Sequence, residues 1–347
     1  DVAPSRGLGD VYKRQLVNSS PLILVLVFLV IGFAFLMKGA DFFVEGSSSI
    51  AKRLKVPPII IGLTIVAMGT SLPETAVSVT ASLVNNNELA VSNVVGSNIF
   101  NLMVVVGVCS ILTPILVQKE TIKRDIPFSM ICAFLLLGLG ILAVGDKSGM
   151  TLGHLDGMIL LGFFAGYIVA MIQSAMKARA AGKNVEIEGI EELEEEIGIL
   201  SWLKSILFIV GGALAIAFGG DLTVDAASRI AIDLGMSQTL VGLTIVSIGT
   251  SLPELVTSVV AARKNEVDMA VGNAVGSNIF NILMVLGIAS AINPVALIRE
   301  NIIDIVILIV FSLIVWIYAA TKRKISRKEG ISMVCLYLIY AGYIIWR

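Results

Sequence analysis

Residues 62–74, GLTIVAMGTSLPE, return 180 positions later as residues 242–254, GLTIVSIGTSLPE. The match continues without gaps to 107 and 287, and 27 of these 46 aligned positions are identical. It takes in a second motif, NVVGSNIFN at 93–101 and NAVGSNIFN at 273–281. Upstream it weakens, with Asp41 against Asp221 and Glu45 against Asp225. The chain is a duplication, and the setting of its two copies decides the fold.

That setting is apolar. The 347 residues are 56% hydrophobic and 15% charged, with mean hydropathy +0.93, where a soluble domain carries about 25% charged residues. The excess must face lipid. Spans of about 20 apolar residues are expected at roughly 21–44, 57–83, 88–112, 125–145, 152–175, 202–228, 238–262, 267–291, 302–321 and 330–346. The longest link, 176–200, divides them five and five. A repeat offset of five spans is odd, so the second copy enters the membrane from the opposite side. The expected fold is all-α integral membrane: ten transmembrane helices in two inverted five-helix repeats, 16–175 and 201–347, with broken helices 2 and 7. In such folds the transport site lies near the midplane between the repeats.

Basic residues give the orientation. Links after odd-numbered spans hold sixteen Lys and Arg, among them Lys52, Lys123, Lys264 and Lys328; links after even-numbered spans and the C-terminus hold four. The positive-inside rule places the odd links in the cytoplasm and both termini on the outer side of a cell inner membrane.

Other classes fall away. A net charge of −1 gives nucleic acid no electrostatic attraction. Cys109, Cys132 and Cys335 lie in apolar stretches without disulfide or zinc spacing. The single histidine, His154, leaves imidazole metal chemistry without ligands. Residues 1–15 lack an apolar run and are expected to be a non-native leader. Their Gly-Leu-Gly-Asp at 7–10 resembles an intramembrane aspartyl protease motif but stands outside any span. The acidic stretch 185–200 lacks the alternating Asp and Gly of a calcium loop and is expected to be a solvated cytoplasmic connector.

The chemistry sits in the repeated motifs. Glu74 and Glu254 each fall about 17 residues into a span, where ionisable side chains usually face a cavity and serve function. Pro73 lacks an N–H and its ring opposes the carbonyl of Gly69; Pro253 and Gly249 repeat this. Each helix is expected to break there and release carbonyls, which membranes tolerate only beside a cavity. Thr70, Ser71 and Glu74 share a helix face, and Asn93, Ser97 and Asn101 form one stripe, matched by Asn273, Ser277 and Asn281. Asn93, Asn98, Asn273 and Asn278 read equally as interhelical glue or as ligands. Carboxylate, hydroxyl, amide and carbonyl oxygens together suit calcium and sodium. Asp41, Glu45, Asp221 and Asp225 are expected at helix ends.

The paired GTSLPE and GSNIFN motifs closely resemble the cation/calcium exchanger superfamily, in its prokaryotic sodium/calcium exchanger branch. The resemblance covers both alpha-repeats, 39–107 and 219–287. It implies a secondary antiporter rather than an enzyme, with calcium and sodium bound and transported at a central site and no cofactor. Carried over by position, the ion ligands are the side chains of Glu74, Thr70, Ser71, Ser97, Asn101, Glu254, Thr250, Ser251, Ser277 and Asn281, and the carbonyls of Ala67 and Ser247. It also implies that helices 1 and 6 slide across the other eight. Some relatives carry Asp where this chain has Asn101 or Asn281, so here two carboxylates stand where they have three, and ion stoichiometry and potassium dependence stay open. Two alternatives remain: calcium/proton exchange at the same site, in which a buried carboxylate trades its metal ion for a proton, and a passive cation channel. No protein partner is indicated.

Overall fold

The structure is a computed structural model describing residues 17, 20–83, 87–142, 150–180, 200–236 and 247–346. The expected leader, nearly all of the acidic connector and about the first third of the seventh expected span lie outside these residues. Within them the chain is helical: α1 Leu22–Leu54, α2 Pro58–Thr70, α3 Leu72–Leu83, α4 Ala90–Leu112, α5 Thr121–Ile141, α6 His154–Ala178, α7 Trp202–Asp233, α8 Ser247–Thr250, α9 Leu252–Arg263, α10 Val267–Ile292, α11 Arg299–Lys322 and α12 Arg327–Trp346. Eight of these are long and apolar enough to cross a membrane, nine if α2 and α3 form one bent span. Helix is the open-ended structure that lipid permits, because it satisfies its own backbone.

Two pairs of two-residue strands tie the halves together. β1 Ile115–Leu116 pairs antiparallel with β4 Lys324–Ile325, and β2 Thr151–Leu152 with β3 Val295–Ala296. An all-helical expectation misses them because each is only one link wide.

α4 and α10 form the centre, with Val94, Ile99, Ala274 and Ile279 fully buried. The outer helices turn apolar side chains outward, as at Ile23, Leu203 and Leu338. That is the inverse of a soluble protein and the pattern of a lipid-facing surface. α1 and α7 run antiparallel in backbone contact. A Cβ on Gly39 would lie 2.9 Å from the Gly212 carbonyl oxygen, and one on Gly219 would lie 2.7 Å from that of Gly32. Small residues permit this close approach.

Two further features differ from expectation. α1 and α7 run to 33 and 32 residues, so Asp41, Glu45, Asp221 and Asp225 lie inside helices rather than at their ends. The reason is that polar residues in the last turns of a long helix do not stop it when the backbone bonds continue. In addition, α4 and α10 each open into a wider π turn, Asn101–Val105 and Asn281–Val285. Such turns recur at functional sites, and apolar periodicity does not forecast them.

Candidate cation site

The site begins at two broken helices. α2 and α3 meet at Ser71 (φ −84, ψ 12) with a 47° bend, and α8 and α9 meet at Ser251 (φ −93, ψ 5). The break falls two residues before each proline, where the helix loses its bond to the Gly69 or Gly249 carbonyl. Glu74 and Glu254 therefore stand in the first turn of a new helix, both fully buried. Helix N-termini favour negative charge, because their free N–H groups carry partial positive charge.

Each carboxylate is held by the opposite half. Ser71 Oγ donates to Glu254 Oε1 at 2.9 Å, and Ser251 Oγ donates to Glu74 Oε1 at 3.2 Å. Ser277 Oγ adds a longer bond to Glu254 Oε1 at 3.5 Å. The second oxygens, Glu74 Oε2 and Glu254 Oε2, are buried without a hydrogen-bond partner.

The threonines are oriented from α4 and α10. Thr70 Oγ1 donates to Asn273 Oδ1 at 3.0 Å and lies 3.5 Å from Ser277 Oγ. Thr250 Oγ1 donates to Asn93 Oδ1 at 3.4 Å. The amide nitrogens of Asn93 and Asn273 donate in turn to Ser78 Oγ (3.1 Å) and Ser258 Oγ (2.9 Å). Asn93 and Asn273 thus act as positioning groups. Ser78 and Ser258 complete them, and no spacing in the sequence ties either serine to an asparagine fifteen residues away.

Asn98 and Asn278 form a clamp between α4 and α10. Each side-chain amide donates to the other's main-chain carbonyl at 3.1 Å. Their Oδ1 atoms accept from Asn281 Nδ2 (3.1 Å) and Asn101 Nδ2 (3.2 Å) respectively. The clamp gives both residues interhelical hydrogen bonds. It also turns Asn101 and Asn281 so that their own Oδ1 atoms are left buried and unpartnered, as is Ser97 Oγ. The Ala67 carbonyl accepts from Ser71 N at 3.0 Å and lies 3.4 Å from Thr70 Oγ1, and Ser247 opens α8.

Buried oxygens without donors are costly, and several share this centre: two carboxylate oxygens, one hydroxyl and two amide oxygens. No described Lys or Arg pairs with either glutamate in a salt bridge. All are hard donors, and the natural complement of such a set is a hard cation such as calcium or sodium.

Known proteins resemble this chain over most of its length. The profile of the family described as "Sodium/calcium exchanger protein" matches residues 24–173 and 204–346. The sodium/calcium exchanger MaX1 of Methanosarcina acetivorans is 33% identical over 336 residues, 90% of this chain and 96% of that protein. The inner membrane protein YrbG of Escherichia coli is 32% identical over 334 residues, 94% of this chain and 96% of that protein. Among solved structures, the sodium-calcium exchanger NCX_Mj soaked with Na+ and Sr2+ aligns with a TM-score of 0.78 at 31% identity, over 93% of this chain and 99% of that one.

Proposed function

The chain belongs to the sodium/calcium exchanger family, a family of cation/calcium antiporters and not of enzymes, and on that premise we propose that it exchanges sodium for calcium around Glu74 and Glu254. It is a multi-pass inner-membrane protein. The observation that carries the proposal is the set of buried oxygens without donors, Glu74 Oε2, Glu254 Oε2, Ser97 Oγ, Asn101 Oδ1 and Asn281 Oδ1. Thr70, Ser71, Thr250, Ser251, Ser277 and the carbonyls of Ala67 and Ser247 complete the ligand set. Calcium takes six to eight oxygens in flexible geometry, and sodium, similar in size, uses the same donors.

The transport cycle is alternating access on ten spans in two inverted repeats. Support comes from the reciprocity of contacts at the 180-residue offset. Gly39 meets Gly212 and Gly32 meets Gly219, the reciprocal pairing that a twofold axis across two antiparallel helices produces. α1 and α7, bound to each other by these glycines, slide over the remaining helices. The basic links lie in the cytoplasm and both termini outside.

Sodium coupling is favoured over proton coupling by the hydroxyls of Thr70, Ser71, Thr250, Ser251, Ser97 and Ser277, which supply neutral oxygens for a monovalent ion. The test is calcium-45 uptake into reconstituted vesicles under an imposed sodium gradient and, separately, an imposed proton gradient. Uptake driven by sodium alone is expected. Uptake driven by the proton gradient alone overturns the sodium reading in favour of calcium/proton exchange, and downhill flux indifferent to both indicates a channel.

A further inference from the structure

The turn between α9 and α10 presses two opposite charges against α1. Asn265 adopts a left-handed conformation (φ 60), Glu266 N donates to Ala261 O at 2.8 Å and Asn265 N to Ala262 O at 3.3 Å. This is the hydrogen-bond pattern of a Schellman C-cap, which fixes the backbone around Lys264 and Glu266. Lys264 Nζ reaches the Asp41 carbonyl at 3.0 Å and its Oδ1 at 3.5 Å. Glu266 Oε1 accepts from Ser48 Oγ at 2.5 Å.

Asp41 and Ser48 lie two turns apart on one face of α1. One turn further on, the same face carries Glu45, four residues after Asp41, and Lys52, four after Ser48. Among the described residues Glu45 and Lys52 make no hydrogen bond or ion pair through their side chains.

We propose that α1 is a two-rung ladder for this turn. In the register of this structure Lys264 and Glu266 hold Asp41 and Ser48; when α1 shifts one turn toward its own N-terminus, they hold Glu45 and Lys52. Four residues at the helical rise make a step of about 6 Å. Each rung supplies an acidic partner for Lys264 and a donor for Glu266, so leaving one register is offset by entering the other. Packed helices step between discrete fits of this kind rather than sliding continuously. The backbone contacts of Gly32 and Gly39 with Gly219 and Gly212 carry α7 along.

The ladder belongs to one repeat alone. The matching face of α7 carries Asp221, Asp225, Ser228 and then Ile232 in place of Lys52, and the positions matching Lys264 and Glu266 are Val84 and Asn86. Lys264 and Glu266 are thus positioning residues that set the balance between two placements of α1. The proposal rests on the sliding of α1 and α7 put forward above.

Spin labels at Leu26→Cys on α1 and Leu338→Cys on α12, in a Cys335→Ser background, report the placement of α1 as a distance distribution. Both labelled positions are exposed. Two populations are expected. Asp41→Asn should move their ratio toward the shifted register and Glu45→Gln away from it, each by about two- to fivefold, the effect of one partly exposed ion pair. In a Lys264→Met background neither substitution should move the ratio. A single population in every variant, shifts in the same direction, or shifts that persist without Lys264 would overturn the ladder. The distances are read without transport, so failure of the ladder and failure of sodium/calcium exchange are separate results.

Discussion

Ser71 of one half hydrogen-bonds Glu254 of the other at 2.9 Å, and Ser251 returns the contact to Glu74 at 3.2 Å. Each carboxylate is therefore aimed by the opposite repeat, with its second oxygen buried and without a hydrogen-bond partner. Removing one charge deprives a divalent ion of half of the site's formal countercharge. Glu74→Gln and Glu254→Gln are each expected to abolish calcium flux in vesicles while the protein stays monodisperse, because an amide of the same shape still accepts the serine bond. Near wild-type flux in either variant would show that the ions bind elsewhere.

The asparagine clamp makes a separate claim. Asn278 receives the Asn101 amide on its side chain and the Asn98 amide on its carbonyl, and gives its own amide to the Asn98 carbonyl. Asn278→Ala leaves the Asn101 amide and the Asn98 carbonyl short of partners in a dry interior, at about 1–3 kcal/mol for each buried group. A lower melting temperature and a raised KM for calcium are expected together. Asn101 would lose the bond that orients its amide at the proposed ion site. An unchanged KM with a lower melting temperature would confine the clamp to stability.

How much of this was legible in the sequence follows from which signals are local. Glu74, Pro73 and Gly69 lie within six residues, so the break and the buried carboxylate could be read together. The displacement of the break to Ser71 is a detail of how a proline relieves its clash. Asn98 and Asn278 stayed ambiguous because their partners are 177 to 183 residues away, and a repeat does not say which residues face across its axis. The π turns at Asn101 and Asn281 were invisible because one extra residue in a turn leaves no mark on composition. Asp41 and Glu45 were misplaced because α1 outlasts its most apolar stretch.

Close approach at the centre can be tested with a single methyl group. A Cβ at Gly276 would lie 2.8 Å from the Leu63 Cα and carbonyl oxygen, rigid backbone beside the Thr70–Ser277 contact. Gly276→Ala is expected to destabilise by about 1–3 kcal/mol through overpacking and to reduce transport. Gly138→Ala, where nothing lies within 4 Å, serves as the control and should lower neither, since alanine is the better helix former. Equal thermal stability of the two variants would mean that α2 and α10 do not pack this closely.

Orientation is open to labelling. Glu120 precedes α5 among basic residues and Leu234 follows α7, both exposed. In a Cys335→Ser background, a membrane-impermeant maleimide added to intact cells should label Leu234→Cys and spare Glu120→Cys. Inverted vesicles should give the reverse. Labelling of Glu120→Cys from outside would invert the assignment of both termini.

Charge at the site predicts the coupling. Glu74 and Glu254 are the two formal charges among the proposed ligands, so the empty site is formally −2, and one calcium or two sodium ions neutralise it. Thr70 with the Ala67 carbonyl, and Thr250 with the Ser247 carbonyl, form two further symmetry-related sets of oxygens. They can take sodium beyond the two ions that neutralise the carboxylates. More than two sodium ions per calcium are therefore expected, and each cycle then moves net positive charge along with sodium. A membrane potential acts on that charge with about 2.3 kcal/mol per elementary charge per 100 mV. With calcium leaving and sodium entering, an inside-negative potential should speed calcium extrusion. In vesicles whose potential is clamped with a potassium ionophore across several potassium gradients, sodium-driven calcium flux should change steeply and monotonically with potential. A flux that depends on sodium but ignores the potential would fix the exchange at two sodium ions per calcium and remove any role for the two outer oxygen sets in binding additional ions.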